Sequence, residues 1–394
     1  MIYKLLLFSL LFLLELASAQ ATTSTQQNNP SVEILKNSLA LTFSTDGTLW
    51  RVLPSAEFVF VDYSKDLGLS YSQPVKVNKK AQKISAWAEN PPAIKVSKAG
   101  RIYILYYVDE QQKSTSYFSY SDDFGRSFSA SRLISDHAAT AMHYMDKMLL
   151  DKQDNVHFFW HDKRDQDNNA ALGTGALSLY HAKSDGADKG ALNNSLVSHA
   201  VCSCCRSAVS LSSQNLPVIL MRMVFADGAR DHALLTQNTQ AEWSVPRHIS
   251  DDHWVIDACP EHGPALAIDE QDRSHLTWFS LGNKRQGIFY AQTDDYGTTV
   301  SQPIAIGQIE FLPSHPDVIS LNSRVVLAWT EFNGKETSLY IQQSDNRGNT
   351  WQAAKKIFDT LSTAGHPQLL AYKERIFISW MTHLEGHRFI EVSK

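Results

Sequence analysis

The 394-residue chain has only four cysteines, no block of basic residues and, beyond its first twenty residues, no long apolar run. Each scarcity narrows the reading. Without a second apolar stretch of about 20 residues, no membrane-spanning helix is expected after the N-terminus. Lys plus Arg total 36 against 41 Asp plus Glu, a net charge of −5. With the basic residues dispersed, nucleic acid is not an expected partner. The 43% hydrophobic and 10% aromatic content is nevertheless ample for a large core.

The N-terminus reads as a targeting segment. Lys4 supplies a positive start, Leu5 to Leu14 an apolar run, and Ala17-Ser18-Ala19 a small-residue cleavage site. Residues 1–19 are therefore expected to be a secretory signal peptide, and the protein periplasmic or secreted. Residues 20–30, rich in Thr, Gln and Asn, read as a disordered leader. Residues 31–394 read as one domain, because a repeat organises them.

That repeat is clearest at Ser121-Asp122-Asp123-Phe124-Gly125-Arg126-Ser127-Phe128. Ser64 to Tyr71 and Thr293 to Val300 have the same form, and Ser344 to Trp351 is a fourth copy with Asn346 in the Asp place. A hydroxyl and an Asp offer acceptors to nearby backbone N–H groups, and the Gly allows a conformation that a Cβ would penalise. Each copy is thus expected to be a self-braced hairpin turn. The copies stand 57, 172 and 51 residues apart, the middle gap being about three periods. Strand-rich repeats of this length indicate a propeller.

One unit, Pro264 to Ile306, divides into four strands: Ala265–Ile268, His275–Phe279, Ile288–Ala291 and Pro303–Ile306. The first strand recurs near Leu39, Ala93, Met148, Ala208, Val318 and Leu369. The expectation is an all-β, seven-bladed propeller of four-stranded blades, with six blades as the alternative. The last unit stops at its third strand. Ser31 to Leu35 is expected to supply the missing one and close the ring, removing an exposed edge. Trp160, Trp278, Trp329 and Trp380 fall near the ends of second strands and read as packing between blades.

The turns resemble the Asp-box repeats of the sialidase superfamily, from about residue 38 onward. Val201-Cys202-Ser203-Cys204-Cys205 and Cys259-Pro260-Glu261-His262-Gly263-Pro264 are similar to the Cys-x-Cys-Cys and Cys-Pro-x-x-Gly-Pro of a bacterial, exported, sialidase-like subset. The superfamily resemblance implies a propeller. If it extended to activity, it would imply a glycosidase with arginines on a substrate carboxylate, a Tyr nucleophile and an Asp acid/base. The family's Arg-Ile-Pro motif has no counterpart: the nearest text is Arg51-Val52-Leu53-Pro54. Asp162, Arg164 and Arg222 are the candidates for that chemistry.

All four cysteines fall in connections from one blade's outer strand to the next blade's inner strand, on the rim opposite the Asp-containing turns. Met145, Arg206, His262, His315 and His366 fall at matching heights. Thiolate, thioether and imidazole suit Cu(I), with Zn(II) open through Cys and His. Cys202, Cys204, Cys205, Cys259, His262 and Met145 are the candidate ligands, and copper or zinc the implied cofactor. The alternative is disulfides. A Cys204–Cys205 bridge is strained, since adjacent Cα atoms stand about 3.8 Å apart and disulfides prefer about 4.4–6.8 Å. That leaves Cys259 bridged to one of the triplet. The segment from Asp162 to Ala176 lies on the same rim and reads either as a lid over the channel mouth or as a disordered surface insertion. Three functions follow: a propeller binding a small ligand such as a soft metal, a glycoside hydrolase acting on an acidic sugar, or a non-catalytic scaffold.

Overall fold

The computed structural model describes residues 33–110, 114–137, 143–169, 176–184, 192–258 and 260–392. The expected signal peptide and leader, and Cys259, lie outside the described residues. Seven antiparallel sheets follow one another in chain order. They form a seven-bladed propeller, so the six-bladed alternative falls.

Each blade begins with an inner strand: Ala40–Phe43, Ala93–Val96, His143–Leu150, Ala208–Leu211, Ala265–Ile268, Ser314–Leu321 and Gln368–Tyr372. The second strands are the most buried, as their unbroken apolar runs require. All seven residues of Ile102–Val108 and of Val156–Asp162 are buried. Apolar side chains of neighbouring blades interdigitate. Tyr103, Leu105 and Phe118 of blade 2 share one cluster with Phe158 and Trp160 of blade 3. The four repeated tryptophans are fully buried, as their placement suggested. Each indole N–H is satisfied: Trp160 donates to Asp162 at 2.9 Å, Trp278 to Asp252 at 2.8 Å, Trp329 to Glu331 at 2.9 Å and Trp380 to the Gly365 carbonyl at 3.0 Å.

The turn chemistry read from the sequence is what holds the hairpins. At Ser121, the hydroxyl donates to Asp123 at 2.7 Å and accepts the Gly125 N–H at 2.9 Å, while Asp123 accepts the Ser127 N–H at 2.9 Å. The Ser344 copy shows why Asn346 can substitute: its side-chain oxygen accepts from Ser344 and from the Thr350 N–H, both at 2.9 Å. Gly125 sits at φ +74°, and a Cβ there would come within 2.8 Å of the Trp50 ring.

Two blades depart from the four-stranded frame. Blade 2 has a divided inner edge, Ile84–Ser85 and Ala93–Val96 both pairing with Ile102–Val108. Blade 7 has three strands. The expected closing strand is not found in its described part: Glu33 and Ile34 are irregular and Leu35–Asn37 is a 3-10 turn. The ring closes by packing instead. Leu39, Leu41, Leu49 and Leu53 of blade 1 cluster with Leu370 of blade 7, and Gln368 donates to the Leu39 carbonyl at 2.9 Å. Among the described residues no helix is long and apolar enough to cross a membrane.

Candidate functional site

The inner strands surround an axial cavity of about 270 Å³ whose lining includes Lys95, Asp146, Lys147, Arg206, Asp317 and Gln368. Charged side chains in such a place are costly unless paired or shifted toward neutrality. Burial pushes the Asp146 carboxyl up to about 7, and burial together with the Arg206 charge pushes the Lys147 ammonium down to about 8. Asp317 is raised as well, again by burial.

A polar cluster draws its members from five blades at the rim bearing the outer-to-inner connections. Glu89 is its hub. The chain between the two inner pieces of blade 2 turns tightly, the Asn90 N–H reaching the Trp87 carbonyl at 2.9 Å, and leaves Glu89 only 2% exposed. One Glu89 oxygen accepts the backbone N–H of Arg206 at 3.0 Å and of Gly263 at 2.6 Å. The other accepts the Arg206 guanidinium at 3.1 Å. That same Nη1 lies 2.5 Å from His366 Nδ1, and Nη2 donates to the Pro316 carbonyl at 3.3 Å.

Three imidazoles stack beside it. His315 lies over His366 with ring centres 3.7 Å apart, and His262 lies 4.5 Å from His315. All three are half-buried. Burial and the Arg222 and Arg206 charges hold His262 down at about 4, and burial, the neighbouring imidazoles and Arg206 hold His315 and His366 well below the usual range. The trio is therefore neutral at neutral pH. Among the described residues, the hydrogen bonds found at these rings engage Nδ1 and leave Nε2 without a partner. Glu89, His315 and His366 offer ligand atoms within 4.8 Å of one another. The Arg206 guanidinium, bonded to Glu89 and His366, already supplies the cation there, so this group does not fit a metal.

Cys202, Cys204 and Cys205 form a second cluster, buried and, among the described residues, without a disulfide; the expected bridge to Cys259 falls outside them. Their sulfurs lie within 4.8 Å of one another, with Cys202 and Cys205 3.8 Å apart. Ala176 and Val224 pack around them. Arg230 donates to the Cys202 sulfur at 3.4 Å. Hydrogen bonds from Cys204 and Cys205, together with the Arg222 and Arg230 charges, hold the Cys202 thiol well below its usual range.

The structure sorts the sequence-expected residues. His262 falls with His315, His366, Arg206 and Glu89, not in the sulfur group. Met145 is buried at a strand bulge with φ 58°, the register shifting between Tyr144 and Lys147. His315 occupies the equivalent bulge of blade 6, at φ 53°. Asp162 is fully buried and accepts from Trp160, from the Arg164 N–H at 2.8 Å and from Arg164 Nε at 2.9 Å. Arg164 also holds Asp136 and Ser135. Arg222, 1% exposed, donates to the carbonyls of Arg230, Phe279 and His262. Asp162 and Arg164 sit apart from the Glu89 hub as a brace at blade 3, whereas Arg222 reaches from blade 4 to blade 5 and borders the hub through the His262 carbonyl. The described part of the proposed lid is docked: Asn169 is buried and accepts the Ala200 N–H at 2.8 Å. Glu89 itself escaped the sequence reading. Its signal was a carboxylate followed by Asn90-Pro91-Pro92, at the place where other blades carry Cys, His or Met.

No family model and no curated protein matches the chain. Solved structures do. An ulvan lyase described as a new polysaccharide lyase family, bound to a glucuronate–sulfated rhamnose unit, superposes with a TM-score of 0.58 at 12% identity, covering 91% of this chain and 94% of that one. The polysaccharide lyase Uly1 gives 0.56 at 10% identity, over 96% and 94%. What is shared is the fold. A Trypanosoma rangeli sialidase aligns over 81% of this chain and 56% of its own, at 11% identity and a TM-score of 0.47, too distant to carry an argument.

Proposed function

We propose that the protein acts on an acidic polysaccharide at the rim where Glu89, Arg206, His262, His315 and His366 meet. The observation that carries this reading is a guanidinium fixed beside three neutral imidazoles at one end of the axial channel. Such a set can hold a uronate carboxylate and move a proton next to it. Two of the solved structures similar in fold over nearly the whole chain are polysaccharide lyases, which supports the substrate class.

The reaction that suits these groups is β-elimination. A carboxylate hydrogen-bonded to Arg206 makes the α-proton of the sugar more acidic, because charge developing on the carboxylate meets a fixed donor. An imidazole Nε2 of His262 or His315 accepts that proton. The C–H electron pair becomes the ring double bond, the glycosidic C–O bond breaks, and the departing oxygen is protonated from solvent. Glu89 would position Arg206 and keep its charge balanced until substrate arrives.

A specific observation favours hydrolysis as the second reading. Asp146 and Asp317 both line the cavity, and Asp146 keeps its proton near neutrality, as a general acid opposite a second carboxylate requires. Incubation with uronate-containing polysaccharides separates the two. Ultraviolet absorbance of an unsaturated uronate marks elimination; new reducing ends without that absorbance mark hydrolysis. Neither product, with no retention of the protein on the immobilised polysaccharide, removes the proposal.

A further inference from the structure

The three cysteines stand outside the chemistry just described, and their arrangement asks for a ligand. Cys202 ends the outer strand of blade 3, while Cys204 and Cys205 lie in the turn that leads to Ala208 of blade 4. Strand pairing fixes the first, since Cys202 faces Ala176 across the sheet. An isolated bridge between Val201 and Met223 of the next blade clamps the start of the turn. The sulfurs are therefore held by two blades rather than by a free loop.

We infer that Cys202, Cys204 and Cys205 form a trigonal thiolate site for a soft monovalent cation, Cu(I). Distance supports it. Metal–thiolate bonds run about 2.3 Å, so three sulfurs around one ion stand about 4 Å apart. Cys202 and Cys205 are 3.8 Å apart, and all three sulfurs fall within 4.8 Å. No imidazole or carboxylate among the described residues joins the group, and a sulfur-only set selects a soft ion.

Charge selects between copper and zinc. When the three S–H groups release their protons to solvent, three thiolates remain. Around a monovalent ion they leave two negative charges, and around a divalent ion one. Buried charge must be balanced nearby. Two guanidiniums are built in beside Cys202: Arg230, which donates to its sulfur, and Arg222, 1% exposed and fixed by three carbonyls, one of them that of Arg230 itself. Their two positive charges match the monovalent case. Binding thus exchanges the protons that the cysteines still carry for one Cu(I), with no change in oxidation state.

The full-length protein, reduced and then freed of reductant without oxygen, is titrated with Cu(I) against a competing chromophoric Cu(I) chelator. The expected result is one tightly held copper per chain with a shell of sulfur alone in X-ray absorption. Cys204→Ser should abolish stoichiometric uptake. Arg230→Gln should weaken it by about 10–100-fold, the usual effect of losing a group that supports the ligands. Thermal unfolding of each variant shows whether it folds, and the sulfur shell of the unaltered protein is a readout that needs no variant. No uptake by the reduced chain, a shell containing nitrogen or oxygen, or zinc held at one equivalent against Cu(I) would overturn the assignment.

Discussion

Glu89 and Gly263, 174 residues apart, are joined by a 2.6 Å hydrogen bond from the Gly263 N–H to the Glu89 carboxylate. The glycine is required by its surroundings. A Cβ there would stand 2.2 Å from the Arg206 Cγ, 2.5 Å from the Arg206 carbonyl oxygen and 2.7 Å from the carboxylate. Blades 2, 4 and 5 therefore meet at a point with no room for a methyl group, and Arg206 takes its place from that contact.

Gly263→Ala is expected to push Arg206 away from Glu89 and to destabilise the protein by about 1–3 kcal/mol, the usual cost of overpacking. The measurement is the shift in urea midpoint at constant slope. Turnover of acidic polysaccharide should fall with it, since the guanidinium moves. An unshifted midpoint with full turnover would show that the junction yields without consequence.

Acid should weaken the fold in two stages. Burial holds His275 down at about 4 from its usual 6.5. A depressed imidazole contributes stability that is full above 6.5 and is lost as pH falls toward 4. For His275 the loss is roughly 3 kcal/mol at its limit. The Asp295 carboxyl, bonded to Thr299 and Thr293, is held at about 2 from 3.8. It is a depressed acid, so its contribution is present above 3.8 and is lost only as pH falls through that lower window. Denaturation midpoints from pH 8 to pH 2 should fall first between 6.5 and 4. His275→Gln should make that first fall smaller by its own share, the other buried histidines keeping the rest, and leave the second.

Asp146 should act with the opposite sign. Burial raises its carboxyl to about 7 from 3.8, so the folded chain keeps a proton that the unfolded chain gives up. Its cost to stability grows as pH rises from 3.8 to 7 and is then constant. Asp146→Asn keeps the shape and an oxygen that can accept from Ser116. The variant should gain on the unaltered protein at pH 8 and match it near pH 4. Chemical denaturation at the two pH values reads the difference directly. Equal gain at both would show that Asp146 is ionised throughout.

The ring was legible because its repeat is local. Ser121, Asp123 and Gly125 brace one another within a few residues, so the pattern and its spacing carried the turn, the blade and the blade count. Closure was not legible. The three strands of blade 7 were legible, but the closing strand expected from Ser31 to Leu35 was not found in its described part, and the packed junction of Leu41 with Leu370 depends on side chains more than 300 residues apart. The rim was half legible. Aligning inner strands brought His262, His315 and His366 to one height. Glu89 was hidden, because its partners are the backbone of Gly263 and the side chain of Arg206, and no local signal announces either. Asp162 and Arg164 drew notice as charges beside a strand end. The fold uses them to satisfy the Trp160 indole and to brace a connection.

That use sets the last prediction. Asp162 is fully buried, accepts the Trp160 indole N–H and two N–H groups of Arg164, and thereby fixes a guanidinium that also reaches Asp136 and Ser135. Removing one partner of a buried ion pair typically costs about 3–5 kcal/mol, and the lower end applies where, as here, Asp136 still pairs with Arg164. Asp162→Ala should therefore lower the denaturation midpoint strongly, with Arg164→Met costing less because the carboxylate keeps its indole and backbone donors. The part of the Asp162→Ala protein that folds should keep its turnover of acidic polysaccharide, since the Glu89 hub is untouched. An unchanged midpoint with turnover abolished would be the signature of a catalytic acid, and would move the reacting sugar from the Arg206 rim to blade 3.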